Sequence, residues 1–188
     1  MLIDSGAYSE LTGAHDGVDL SEYTDYCAQW ADRAEACAAL DDITGNWRRS
    51  LKNLEQGPPM AFPTYHDSDP VELLPELISA ARERGQWLGI GLVPPRHQRE
   101  RWLETTLEQI PSDIHVHGWA MRAYKHMRQW HTRASMSMDS TNWWRDAMYY
   151  RRAMPFLTFG EALKIVVKRY KREQFVIKEK SPQGELFG

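Results

Sequence analysis

Short apolar runs alternate with longer amphipathic stretches six times along this chain, and the links between successive runs are too long for hairpins. Antiparallel neighbours join through tight turns, whereas parallel strands need a crossover of a dozen or more residues. The pattern therefore points to parallel strands joined by helices. Strands are predicted at Leu2-Ile3, Cys37–Leu40, Met60–Tyr65, Trp87–Leu92, Ile114–Val116 and Ser135–Met138, with Gln174–Lys178 as a last candidate. Helices are predicted at about 19–33, 45–56, 70–84, 96–110 and 120–131, and through most of the remainder. In the first, Tyr23, Tyr26, Cys27 and Trp30 recur at i, i+3, i+4 and i+7, a core-facing stripe. Asp19 or Ser21 is its expected N-cap. Gly57-Pro58-Pro59 ends the second helix, and Gly85 suits the residue just past the third.

Polar residues and glycines gather directly after the strands: Asp4-Ser5-Gly6, Asp41-Asp42, Tyr65-His66, Gly89 and Gly91, His117-Gly118, and Asp139-Ser140. In parallel α/β folds this carboxyl edge is where sites form. A (β/α) barrel gathers all six edges around one mouth, and an open doubly wound sheet gathers only some. We expect a compact, TIM-barrel-like (β/α) fold. A single catalytic domain would cover residues 1–178, with a basic helical C-terminal part, and 179–188 would form a tail. There is no GxGxxG opening a helix, no P-loop and no internal repeat.

A chain of 188 residues can bury the core of one domain. Cys27 and Cys37 are its only cysteines, with no CxxC spacing, which excludes a disulfide framework and a cysteine-rich zinc site and fits a reducing compartment. Neither a membrane span nor a signal peptide is expected, and the cytoplasm is the expected location. Charge is unevenly placed. Residues 1–120 carry 9 Lys and Arg against 20 Asp and Glu, a balance of −11, while residues 121–180 carry 14 against 5, a balance of +9. A basic segment with interleaved Trp and Tyr suits a polyanion, and equally a solvated helix face.

Asp4 and Asp139 end the first and sixth predicted strands. Two carboxylates at such edges can divide the work of nucleophile and acid/base, or each can simply cap the turn that follows. Their neighbours add weight to the first reading. Asp4-Ser5-Gly6-Ala7-Tyr8-Ser9 resembles the Asp-Ser-Gly-Gly-Phe/Tyr-Gln segment of tRNA-guanine transglycosylases. It is still more similar to the Asp-Ser-Gly-Ala-Phe-Ser segment of their phage-type relatives, the DNA 7-deazaguanine transglycosylases. Ala39-Leu40-Asp41-Asp42 is similar to the family's Phe-Asp-Glu strand end, and Gly89-Ile90-Gly91-Leu92-Val93 to its Gly-Gly-Leu segment. Ser137-Met138-Asp139-Ser140-Thr141-Asn142-Trp143 resembles the strand end that carries its nucleophilic aspartate. The likeness spans roughly residues 1–145.

The resemblance implies that Asp139 attacks C1′ of the target nucleotide and that Asp4 is the general acid/base for the departing and incoming bases. It implies that Tyr8 sandwiches the purine, that Asp41 binds its Watson–Crick edge, and that Gly91 and Leu92 offer backbone groups. Ser5, Gly6 and His117 complete the expected substrate-binding set. Trp143, Trp144, Arg145, Arg151, Arg152, Lys168 and Lys171 are the expected nucleic-acid contacts. Carboxylates suit this chemistry, since they stabilise and bond to an oxocarbenium-like centre and accept the N–H donors of guanine.

The implied reaction replaces guanine in DNA, or alternatively in tRNA, by a 7-deazaguanine base such as 7-cyano-7-deazaguanine. No cofactor is expected, and homo-oligomerisation is left open. The zinc site of the tRNA-acting members needs three cysteines and a histidine near the C-terminus, where this chain has no cysteine. The chain is also about half their length. Where the family has a glutamine on its third strand, this one reads Phe62-Pro63-Thr64-Tyr65-His66, so the base contact there is unassigned between Tyr65 and His66. His115 and His117 are expected to alternate on their strand, with only one facing the mouth, and metal binding is not expected. The rival readings are a nucleoside N-glycosidase or deoxyribosyl transferase on the same scaffold, and an inactive relative that binds nucleic acid.

Overall fold

The computed structural model describes residues 2–5, 18–42, 44–91, 96–119, 136–138, 142–166 and 168, with the side chains of 96–100, 136, 138 and 142–146 left out. The chain divides into two compact units, one of residues 1–119 with 135–137 and one of 120–134 with 138–188.

The first unit alternates strand and helix: β1 (Leu2–Ile3), α1 (Leu20–Trp30), β2 (Ala36–Ala38), α2 (Trp47–Gln56), β3 (Ala61–Phe62), β4 (Thr64–His66), α3 (Leu73–Glu83), β5 (Trp87–Gly91), α4 (Arg96–Gln109) and β6 (His115–Gly118). A further strand, β7 (Met136–Met138), lies beside β6. Strands pair in chain order, β1-β2-β3 in one sheet and β4-β5-β6-β7 in the other. Pairing is parallel at β1–β2, β2–β3, β4–β5 and β5–β6.

Pro63 explains why the expected strand Met60–Tyr65 is two. Proline has no N–H to give a ladder. The Phe62 carbonyl accepts from Ala39 N on one side at 2.8 Å, and the Pro63 carbonyl accepts from Gly89 N on the other at 2.8 Å. The chain thus hands its pairing from β2 to β5 at this residue.

Side chains of the strands alternate between two faces. Ile3, Cys37, Ala39 and Ala61 form one core cluster with Tyr23, Cys27 and Leu54 of the first two helices, and Ala80 of α3 packs against it. Trp102 of α4 stacks on Tyr65 with ring centres 6.0 Å apart, and Tyr65 shares the parity of Ala61. Among the described residues, α1 to α4 therefore cover one face. The other face carries Ala36, Ala38 and Phe62 with Leu2, Trp87 and Trp119 packed against them.

The helices form where capping and apolar stripes agree. Asp19, not Ser21, is the N-cap of α1, its carboxylate accepting from the backbone N–H groups of Ser21 and Glu22. Asn46 caps α2 by accepting from Arg49 N. In α3, Leu73, Leu74, Leu77, Ile78 and Ala81 are buried, a stripe of helical period that removes roughly 2 kcal/mol worth of surface from water per large side chain. Gly85 sits at φ +101° as expected, and Gln86 N reaches back to Ala81 O at 2.7 Å, closing the helix in a Schellman arrangement. β6 begins at His115 rather than Ile114 and runs to Gly118, so His117 and Gly118 lie within the strand.

In the second unit, α5 (Asn142–Ala153) is followed by a turn and a helix over 159–166. Thr158 caps that helix in a capping box: Glu161 accepts from Thr158 N at 2.8 Å, and Thr158 Oγ1 accepts from Glu161 N at 3.3 Å. Ala147, Ala162 and Val166 form its small core, with Tyr150, Phe159 and Leu163 against it. The expected helix over 120–131 and the strand Gln174–Lys178 lie outside the described residues.

No helix among the described residues is long and apolar enough to cross a membrane.

Candidate functional site

Parallel pairing puts the carboxyl ends of β1, β2 and β3 at one edge of their sheet and those of β4, β5 and β6 at one edge of theirs. Residues at the carboxyl ends of three of these strands meet. Asp41, three positions after β2, accepts a hydrogen bond from Ser5 Oγ at Oδ1, 3.1 Å away. Its Oδ2 lies 2.7 Å from Nε2 of His66, the last residue of β4. Asp41 stands between hydroxyl and imidazole, so this is not a serine nucleophile with its base, in which the histidine would touch the serine. It is a carboxylate fixed from two sides. Asp42 turns the other way. It accepts from Thr44 N at 2.9 Å and pairs with Arg49 at 3.3 Å, which organises the start of α2.

His66 is almost fully buried. Burial pushes its pKa down, but the hydrogen bond to Asp41, the charge of Asp41 and then Asp69 outweigh this, with the Gly91 backbone adding to them, so the net shift is upward. Asp69 Oδ2 also accepts from the His66 backbone N at 2.8 Å, which fixes the turn after β4. Burial raises the pKa of Asp69 itself. His66 Nδ1 is buried against the Gly91 backbone. Gly91 makes room for the ring: a Cβ on residue 91 would sit 3.0 Å from both Nδ1 and Cε1 of His66.

A crevice lined by Asp41, Asp69, Thr64 and side chains of α2 and α3 lies beside this cluster. It barely admits a water molecule, so it is not a base pocket.

His115 and His117 do not alternate. Residues i and i+2 of a strand share a face, and Nε2 of His115 and Nδ1 of His117 each lie 2.8 Å from the Ser137 hydroxyl of β7. Trp87 lies against His115 with ring centres 3.9 Å apart, and Trp119 meets His117 edge-on at 4.2 Å. Burial, and next His115, lower the His117 pKa to about 4, so this imidazole is neutral at pH 7. Its Nε2 is buried without a partner. No group of three or more His, Cys, Asp or Glu placed to hold a metal ion occurs among the described residues.

Of the expected site residues, Ser5 and Asp41 are brought together, and the unassigned His66 joins them with Gly91 beneath its ring. Asp4 is exposed just past the end of β1. Gly6, Tyr8, Leu92, Asp139 and Lys171 lie outside the described residues. Trp143, Trp144 and Arg145 belong to α5, but their side chains also lie outside. Arg151, Arg152 and Lys168 are exposed on the second unit, as are Tyr149 at 60% and Phe156 at 81%. Reasoning from sequence passed over Ser137 and Asp69 and left His66 unassigned. The available signal was a histidine and an aspartate three apart at the end of a strand.

Fold and site together define a parallel α/β protein with a carboxylate–imidazole cluster at the carboxyl edge of its strands. No protein-family model, no curated protein and no solved structure matches this chain.

Proposed function

We propose that the chain is a compact, barrel-type base-exchange enzyme that replaces guanine in DNA by a 7-deazaguanine base. The observation that carries the reading is the Ser5–Asp41–His66 cluster, in which elements far apart in sequence hold one carboxylate at the edge where α/β enzymes act. A carboxylate so held suits the paired N1–H and N2–H donors of guanine. Strand pairing in chain order and helices on one face support a barrel over a doubly wound sheet, whose order reverses and whose two faces are both covered.

In the proposed reaction, Asp139 attacks C1′ as the C1′–N9 bond of the target breaks. Asp4 protonates the departing guanine at N9. The incoming base then returns a proton to Asp4 as its nitrogen bonds to C1′ and Asp139 leaves. No external oxidant or reductant is required. The target base must leave the stack to reach these carboxylates. The basic second unit supplies the polyanion contact, with 14 Lys and Arg against 6 Asp and Glu.

The test is uptake of a labelled 7-deazaguanine base into duplex DNA, single-stranded DNA and tRNA. We expect uptake into DNA that Asp139→Asn abolishes and Asp4→Asn reduces by roughly a hundredfold or more, the scale of acid–base assistance. Uptake into tRNA alone would replace the DNA assignment. No uptake into any polymer would sink the catalytic reading.

A further inference from the structure

We propose that His115 and His117 chelate a divalent first-row transition cation of the copper and nickel class, through Nε2 of the first and Nδ1 of the second, with the Ser137 hydroxyl as a weaker third donor. The proposal goes beyond the base-exchange reading and stands without it.

The geometry carries it. A ring nitrogen from each of two residues on β6 lies 2.8 Å from one oxygen on β7, so three donors from two strands converge on one point. These nitrogen–oxygen separations suit a metal. Two ligands each about 2.0 Å from an ion and at right angles to one another are about 2.8 Å apart, the edge of a square or an octahedron. Both rings already share a face of the strand, as positions two apart must, so no backbone change is needed to aim them together. His115 and Ser137 are half-buried, which gives an ion a way in, and His117 is almost fully buried and forms the floor. Trp87 and Trp119 lie against the two imidazoles and hold them in place.

The chemistry agrees. A histidine binds a metal as the neutral imidazole. Burial lowers the pKa of both rings, so neither needs to lose a bound proton at pH 7 before it can coordinate. Glu35 acts on His115 electrostatically, and its negative charge favours a cation there. Within the hydrogen-bonded trio, Ser137 has one proton to donate, so it serves one ring and accepts an N–H from the other. A cation instead takes a lone pair from each ring. The ring that was donating moves its proton to its other nitrogen, and nothing is oxidised or reduced.

Two imidazoles and a hydroxyl are fewer strong donors than a closed metal centre has, and no group of three His, Cys, Asp or Glu placed for a metal occurs among the described residues. The remaining coordination positions are open to water or to an oxygen or nitrogen ligand. Such a site follows the general order of divalent affinities, with Cu(II) above Ni(II) and Ni(II) above Co(II).

The experiment titrates Cu(II), and then Ni(II), into the full chain at pH 7 and into His115→Asn and His117→Asn. A paramagnetic ion beside Trp87 and Trp119 quenches their fluorescence. We expect one equivalent in the wild type that quenches tryptophan emission and that binds roughly a hundredfold more weakly in either variant, the scale lost when one of two linked donors is removed. The electron paramagnetic resonance spectrum of wild type carrying one Cu(II) should show coupling to two nitrogens, a readout that needs no substitution and stands even where a variant fails to fold. Coupling to a single nitrogen overturns the proposal. So does an equivalent held as tightly by both variants as by wild type, which would assign the copper to other groups, and so does a wild type that binds no Cu(II). None of these outcomes touches the base-exchange reading, which is decided by uptake into a polymer.

Discussion

A methyl group added at residue 91 would meet the His66 ring at 3.0 Å, closer than ordinary packing allows. The ring is held on its far side by Asp41, so its accommodation is a rotation that lengthens the 2.7 Å contact. Gly91→Ala should therefore lower base affinity several-fold while costing about 1 kcal/mol in stability, at the mild end of overpacking. Binding and urea unfolding on one preparation check the pair of effects. A second residue-scale prediction concerns His117. Its pKa drops from about 6.5 in the unfolded chain to about 4 in the fold, so the unfolded state binds the proton more readily. The stability this neutral imidazole contributes is fully present above pH 6.5 and is lost as pH falls toward 4, to a total of roughly 3 kcal/mol. His66 runs the other way, its contribution being present below the unfolded pKa and lost as pH rises through the folded one. Urea unfolding from pH 7 to pH 4 should show a flatter acid limb for His117→Asn than for wild type. At this scale the placement of Asp41 at the carboxyl edge of its strand was legible, from the polar pair that stops the apolar run. The engagement of His66 was not, since a histidine at a strand end gives no sign of which neighbour it will meet. The reading of His115 and His117 failed on a plain rule of strand geometry, that positions two apart share a face.

Elements were legible where local chemistry decides them. Asp19 accepts two N–H groups at the start of α1, and Asp19→Ala should cost about 1 kcal/mol, read as a lower unfolding midpoint in urea. Gly57 ends α2 for a different reason from Gly85. Its φ of −85° is open to any residue, but a Cβ there would lie 2.6 Å from the Asn53 carbonyl oxygen. That atom is backbone, so Gly57→Ala must displace the last turn, and we expect a loss of roughly 2 kcal/mol. Gly85→Ala would strain a φ of +101° with nothing in the way, and the two losses are separable with asparagine, which tolerates positive φ better and should recover part of the loss at residue 85 but keep the clash at residue 57. The division of Met60–Tyr65 into two strands was less accessible. Pro63 was visible, but a proline in an apolar run signals an edge or a break. Here it marks the point where one chain segment passes from its β2 partner to its β5 partner. That hand-over is set by tertiary pairing, which periodicity does not contain.

At the scale of the whole molecule, the division into two units falls where the charge changes sign. Residues 1–119 with 135–137 carry 9 Lys and Arg against 20 Asp and Glu, and the second unit carries 14 against 6. A polynucleotide is expected to engage the second unit, because its phosphates are repelled by the balance of the first. Phosphate contacts release counterions, so affinity should fall steeply with salt, by close to one unit of logarithmic slope per phosphate neutralised on duplex DNA. Arg151, Arg152 and Lys168 are exposed cations on that unit, and Arg151→Gln, Arg152→Gln and Lys168→Gln should each reduce the slope by about one while weakening all sequences alike. Phe156, 81% exposed on the turn between two helices, separates a flexible strand from a duplex. Stacking on an unpaired base is worth roughly 1–3 kcal/mol, so Phe156→Ala should weaken single-stranded DNA by about tenfold with its salt slope unchanged, and duplex DNA little. Equal losses on both forms would place Phe156 in the packing of the unit rather than against a base. A flat salt dependence would point to a free nucleoside as substrate, since the same carboxylates can serve it without any basic surface.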